Sequence, residues 1–210
     1  MQKDEVLEFL GKIDAFLYEH YASRLDGKPF ELKIFGKSAL LLAGLVDSVG
    51  TNDIDILQVD GQHSPGANKE IVKGLTEEFG RTRTKVHGYY LEFVSPAIVF
   101  LSQKPEWIPL GQTFKHLEVS YLEPHHVIAS KLFSAFSPTM PRKKDKQDIV
   151  AALDQKLVTL GAVCAIADKV FDRHRGDARE DRFPAVYDYL TKELMTDYGK
   201  AELEFKPDEN

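Results

Sequence analysis

The chain has 210 residues, 43% of them apolar and 29% charged, with a net charge of −6 and one cysteine, Cys164. This is material for one large or two small packed domains; no apolar run approaches the roughly 20 residues of a membrane span, and a single cysteine excludes an internal disulfide or a cysteine-rich zinc site. The acidic balance argues against a protein that coats nucleic acid, and the charged start Met1-Gln2-Lys3-Asp4-Glu5 is unlike a signal peptide, so a cytoplasmic location without membrane contact is expected.

Residues 3–22 predict an amphipathic helix, because Val6, Phe9, Leu10, Ile13, Phe16, Leu17 and Tyr21 recur at helical spacing. Asp26-Gly27-Lys28-Pro29 is a turn, 31–35 a short strand ended by Gly36, and 38–46 an apolar helix. A turn over 47–52 leads to a strand at 53–59, and a glycine-containing loop at 60–66 leads to a helix at 67–79. Strands are expected at 89–95 and 114–122. Pro105 and Trp107 read as a packed loop, not a base-stacking platform, and the aromatic residues do not interleave with basic ones as in single-strand binders. From Pro124 the pattern turns helical, over 124–136, 143–153, 161–172 and 183–195, with Pro124 suited to the first position of its helix. Cys164, in an apolar run, is expected to be buried and inert. The tail 205–210 is expected to be disordered. The fold class is therefore α+β: a mixed sheet flanked by helices over 1–122, then a helical region over 123–210.

Three short segments carry chemistry. In Asp53-Ile54-Asp55 the two carboxylates are two residues apart on a strand, so they share a face while Ile54 and Ile56 anchor the other. Two such acids repel unless a cation lies between them, and a rigid pair suits a hard, oxygen-liking Mg²⁺ or Mn²⁺; alone, the pair also suits two solvated acids on an edge strand. In Phe35-Gly36-Lys37-Ser38 a strand passes into a helix at a glycine. That turn can hold phosphate oxygens on its N–H groups and the Ser38 hydroxyl, or be a plain serine-capped junction. Glu92 is a lone carboxylate in the apolar strand Tyr89 to Val94, either exposed or held by a cation.

Their order resembles the nucleotidyltransferase superfamily, which includes DNA polymerase beta and the minimal nucleotidyltransferases. That pattern is an apolar residue, Gly, then Gly or Ser, a spacer, Asp-x-Asp or Asp-x-Glu, and a third acid on a later strand. Gly36 matches the glycine, Asp53 and Asp55 the metal-binding pair, and Glu92 the third acid. Lys37 stands where the second Gly or Ser is usual, with Ser38 one place later. The segment Pro124 to Leu153 resembles the AbiEii-like toxin branch, which has a lysine in a helix and then Arg/Lys-Asp-x-x-Asp-apolar. Lys131 matches that lysine, and Lys144, Asp145 and Asp148 the later segment. Thr51 is present before the acid pair, but Val49 replaces the basic residue usual shortly before it.

The resemblance implies a nucleotidyltransferase. A nucleoside triphosphate would lie with its tail at Gly36, Lys37, Ser38 and Thr51, with Lys144 and Asp145 also at the nucleotide. The metal would sit on Asp53, Asp55 and Glu92, Lys131 would reach the triphosphate, and Asp148 would hold Lys131 or a catalytic group in place. The acceptor would be RNA, such as the end of a transfer RNA, a protein or a small molecule, and an antitoxin partner is implied. The alternative is a catalytically degenerate fold serving as a nucleotide-binding or protein-interaction module, which the Lys37 departure favours. The stretches Arg81 to Lys85 and Arg142 to Lys146 are locally basic, and the second suits a nucleic-acid backbone or the triphosphate, while Arg173-His174-Arg175 is interleaved with acids. His125 and His126 are adjacent on a helix and so point too far apart to chelate one metal. They are expected to cap or pack, and His63 and His87 have no partner spacing.

Overall fold

Glu5 sets the start of the first helix: its carboxylate accepts a hydrogen bond from the Gln2 N–H at 2.6 Å, as a capping box requires. The computed structural model describes residues 1–46, 52–57, 63–96, 99–137, 142–176 and 180–198. Thr51, Val49 and the tail 205–210 lie outside the described residues. Helix α1 runs Lys3–Leu25 and stops where Asp26 and Gly27 take left-handed backbone. It is three residues longer than its apolar stripe suggested, and Leu25 adds a buried side chain at its end.

The chain divides into two compact units, residues 1–99 with 107–122, and residues 100–106 with 123–210. The sequence placed the segment 100–106 in the first region, but it packs in the second unit. There Phe100 stacks on Phe133 at 5.3 Å, and the Arg173 guanidinium donates to the carbonyls of Leu101 and Ser102 at 3.1 and 2.7 Å.

In the first unit the elements after α1 are β1 (Phe30–Ile34), α2 (Gly36–Leu42), β2 (Asp53–Leu57) and α3 (Pro65–Phe79). A 3-10 turn (Arg81–Arg83), α4 (Thr84–His87), β3 (Tyr90–Val94), β4 (Trp107–Pro109) and β5 (Leu117–Leu122) follow. The five strands form one mixed sheet in the order β3-β2-β1-β5-β4. β1 pairs antiparallel with β2 and parallel with β5, β2 runs parallel to β3, and β4 is antiparallel to β5. Trp107 thus stands on an edge strand, not in a packed loop. Three residues including a proline leave too short a pattern for a strand to be read.

Strand alternation splits the sheet into two chemically different faces. Leu32, Ile34, Ile54, Ile56, Leu91 and Val119 face one side and pack in one core with Phe9, Leu10 and Ile13 of α1 and Ile71 and Leu75 of α3. Helix α3 begins as its sequence requires, with Ser64 accepting from the Ala67 N–H at 3.3 Å and Pro65 in the first turn. Gly74 lets α1 and α3 approach closely, since a β-carbon there would collide with the Tyr21 hydroxyl.

The second unit is helical: α5 (Pro124–Ala135), α6 (Lys143–Asp154), α7 (Leu160–His174), α8 (Phe183–Asp188), a π-helical stretch (Tyr189–Leu194) and α9 (Met195–Tyr198). Glu123 caps α5, accepting from the His126 N–H at 3.2 Å. Nearly all of α5 is buried, and Phe133 meets the rings of Phe171 and Phe183 at 5.1 and 5.9 Å. Cys164 is buried, and burial pushes its thiol up to about 12, so it stays protonated. Among the described residues no helix is long and apolar enough to cross a membrane.

Candidate metal centre

The face of the sheet away from α1 and α3 carries the acids. Asp53 and Asp55 alternate with the fully buried Ile54 and Ile56, so the apolar pair fixes the direction in which the carboxylates point. Strand β3 lies parallel beside β2 with Asp55 opposite Glu92 and Asp53 opposite Tyr90. Side chains opposite each other share a face, and the carboxylate oxygens of Asp53, Asp55 and Glu92 come within 4.8 Å of one another. The two aspartates are half-buried and Glu92 is exposed.

The glycine turn closes against this cluster from the other flank. The Phe35 N–H donates to the Asp55 carbonyl at 3.0 Å, which continues the β1–β2 ladder to the end of β1. Gly36 then takes φ +67°, and a β-carbon on it would stand 2.5 Å from Asp55 Oδ2. Both the backbone angle and the contact demand glycine. Ser38 is 1% exposed, and its hydroxyl donates to the Asp53 carbonyl at 3.2 Å. What Ser38 does here is tie the turn to the acid strand; its hydroxyl does not face outward to a phosphate. Lys37 is the second residue of α2, beside the cluster in the chain.

Three carboxylates at this spacing form an all-oxygen donor set with concentrated negative charge, which suits a hard divalent cation. Glycine at position 36 leaves the space beside Asp55 Oδ2 free of a side chain.

Two neighbours escaped the reading of the sequence. Tyr90 precedes Glu92 by two residues on β3 and so shares its face. Burial pushes the pKa of its phenol above the ordinary value, and the charges of Asp53, Glu92 and Asp55 push it the same way, while Arg81 pulls against them. Period-two alternation around Glu92 was the signal for Tyr90, and the basic stretch at 81–85 was the signal for Arg81. Further along the same face Lys33 pairs with Glu31 at 3.1 Å and lies 5.6 Å over the Trp107 ring.

The remaining expected residues belong to the second unit. Lys131 on α5 donates to Asp145 Oδ1 at 2.8 Å and Asp148 Oδ2 at 2.9 Å, both on α6. Arg142 Nε lies 3.2 Å from the other Asp145 oxygen, and Asp145 is 2% exposed. In this unit Lys131 is thus a clamp between two helices, while Lys144 is exposed. The histidines have local partners. His125 Nε2 accepts from the Thr159 N–H at 3.3 Å, so Nδ1 carries the proton toward Glu123 at 2.6 Å. His63 donates to the Pro29 carbonyl at 3.2 Å, and His87 pairs with Glu78 at 3.1 Å.

A pocket of about 460 Å³ lies along α1 and α3, lined by Phe16, His20, Tyr21, Arg24, Glu77 and Arg83 among others. It is on the helix-covered side of the sheet, and its arginines are already paired, Arg24 with Glu70 at 2.7 Å and Arg83 with Glu78 at 3.2 Å. The chemistry-bearing residues are at the acid cluster, not there. No family model, curated protein or solved structure matches the chain.

Proposed function

We propose that this chain is a metal-dependent nucleotidyltransferase, moving a nucleoside monophosphate from a nucleoside triphosphate to an acceptor hydroxyl. One observation carries the reading: the oxygens of Asp53, Asp55 and Glu92 converge within 4.8 Å beside a turn that only glycine can make. Convergence of three acids from two strands costs electrostatic repulsion, and a bound cation offsets it. The resemblance of the segment from Gly36 to Glu92 to the superfamily's pattern supports the same chemistry.

Mg²⁺ or Mn²⁺ held by the three acids would supply positive charge for the phosphate oxygens at the reacting centre. The chain's own residues do the rest. Ile54 and Ile56 hold the acids in place, the Gly36 turn keeps room for the triphosphate tail, and Ser38 locks the turn to β2. Lys37 provides a cation next to that tail. Glu92, exposed on the edge strand, would also meet the acceptor hydroxyl.

Mn²⁺ titration followed by transfer from each α-labelled triphosphate to total RNA, protein and small-molecule extracts tests the proposal. The expected result is saturable Mn²⁺ binding and a labelled product, both lost in Asp55→Asn. No Mn²⁺ affinity would sink the reading. The inward-turned hydroxyl of Ser38 favours a second reading, a degenerate fold that binds nucleotide without turnover; it predicts Mn²⁺ and triphosphate affinity with no labelled product from any extract.

A further inference from the structure

We infer that the second unit carries its own binding pocket for a small organic phosphate, formed where the segment 102–104 lies against α7. The inference is independent of the transferase reading, because none of its residues belongs to the acid cluster or to the Lys131 clamp. The pocket has a volume of about 270 Å³ and is lined by Ser102, Gln103, Lys104, Lys169 and Asp172. Its two walls are tied together: the Arg173 guanidinium on α7 donates to the Leu101 and Ser102 carbonyls at 3.1 and 2.7 Å. Lys169 and Asp172 are three residues apart on α7, so one helix face brings both to the pocket.

Ser102 points to a ligand. It is 1% exposed, and its hydroxyl has no hydrogen-bond partner among the described residues. A closed-off hydroxyl left unpaired costs stability, and an acceptor oxygen brought into the pocket pairs it. The surrounding charges select the kind of oxygen. Lys104 and Lys169 are exposed, and among the described residues neither has an ion-pair partner. The Arg173 guanidinium on the Ser102 carbonyl adds a third positive charge. Two compact ammonium charges and a hydroxyl suit the three oxygens and near-double charge of a phosphate monoester; a carboxylate offers the same donors two oxygens and one charge. Asp172, whose carboxylate lies 3.5 Å from Arg175, can only accept, so it favours a ligand that also presents a hydroxyl. The volume is just below the roughly 300–1,000 Å³ of drug-sized sites, which suits a phosphate on a body of a few carbon atoms.

The test is calorimetric titration of the full chain with glycerol 3-phosphate, propyl phosphate and glycerol, with a chelator present so that the acid cluster holds no cation. Glycerol 3-phosphate should saturate one site, propyl phosphate should bind more weakly for want of hydroxyls, and glycerol should not bind measurably. Lys104→Ala and Lys169→Ala, both at exposed positions, should each weaken the two phosphates about 10-fold, from loss of one charge-assisted contact. Asp172→Ala should erase the preference for glycerol 3-phosphate over propyl phosphate. Ser102→Ala should weaken both phosphates while leaving the melting temperature of the free protein unchanged or higher, since it removes an unpaired buried hydroxyl; a purely structural serine would give the opposite pattern, lower melting with affinity kept. No saturable binding of either phosphate overturns the inference. So does wild-type affinity in the Lys104→Ala, Lys169→Ala double variant, or glycerol binding as tightly as glycerol 3-phosphate.

Discussion

Asp55 is flanked on three sides: its strand neighbours Ile54 and Ile56 are buried, its carbonyl takes the Phe35 N–H, and Gly36 lies so near its carboxylate that a β-carbon there would collide with it. Removing its charge should therefore act on the ion and not on the fold. Asp55→Asn is expected to abolish Mn²⁺ binding while raising apo stability slightly, by less than about 1 kcal/mol, because like charges no longer face each other. Melting with and without Mn²⁺ checks both halves: wild type gains stability with the ion by linkage, and the variant does not. Gly36→Ala tests the turn. The left-handed backbone costs a non-glycine residue about 1–2 kcal/mol, and the added methyl displaces Asp55 as well. The variant should lose stability in urea and bind Mn²⁺ more weakly; a Gly36→Ala protein with wild-type Mn²⁺ affinity would remove the turn from the site.

Helices α5 and α6 meet through a polar contact, Lys131 with Asp145 and Asp148. Lys131→Ala leaves the buried Asp145 with only the exposed Arg142 and takes this cation from the half-buried Asp148, so a loss of about 3 kcal/mol, the low end for a broken buried pair, is expected from urea unfolding. Lys131→Arg should recover little, since a fork replaces a compact charge that two carboxylates share. Transfer per folded molecule is the informative readout: wild-type turnover assigns Lys131 to the clamp alone, and a loss of about 10²-fold, on the order of 3 kcal/mol, gives it a role at phosphate too. The Lys131 and Asp148 pairing was implied by the resemblance of residues 124–153, whereas the contact of Lys131 with Asp145 was not, since Asp145 was expected at the nucleotide. Long amphipathic elements such as α1 and α3 were legible because many residues repeat one period. The 3-10 turn at Arg81, the helix α4 and the strand β4 have three or four residues each and offer no period to read. Asp53 and Asp55 share a face by local geometry, but the register that brings Glu92 opposite Asp55 is a property of two strands together. The expected single helix over 183–195 appears as α8, a π-helical stretch and α9, a backbone change that a side-chain pattern does not report.

Across the whole molecule the three clustered acids fall in one unit and the lysine clamp in the other. Hydrogen exchange with and without Mn²⁺ should therefore be regional. Amides of β2, β3 and the Gly36 turn should slow on adding the ion, as binding stabilises the segments that hold it, while the α5 and α6 amides should change less. Protection confined to the second unit would place the ion elsewhere. Which unit owns residues 100–106 was not legible, since the contact of Phe100 with Phe133 joins residues far apart in sequence.

The parallel pairing of β1 with β5 has a consequence for biosynthesis. β1 ends at residue 34, whereas β5 begins at residue 117. At about 5–20 residues per second, β5 leaves the ribosome on the order of ten seconds after β1. During that interval β1 can pair with β2 but its other edge stays open, a template for strands of neighbouring nascent chains. Glu31 and Lys33, charged and alternating with Phe30, Leu32 and Ile34, sit on that waiting edge. Replacing both with valine would leave the finished sheet paired but should send more of the newly made protein into aggregates, in proportion to how slowly the message is read between the two strands.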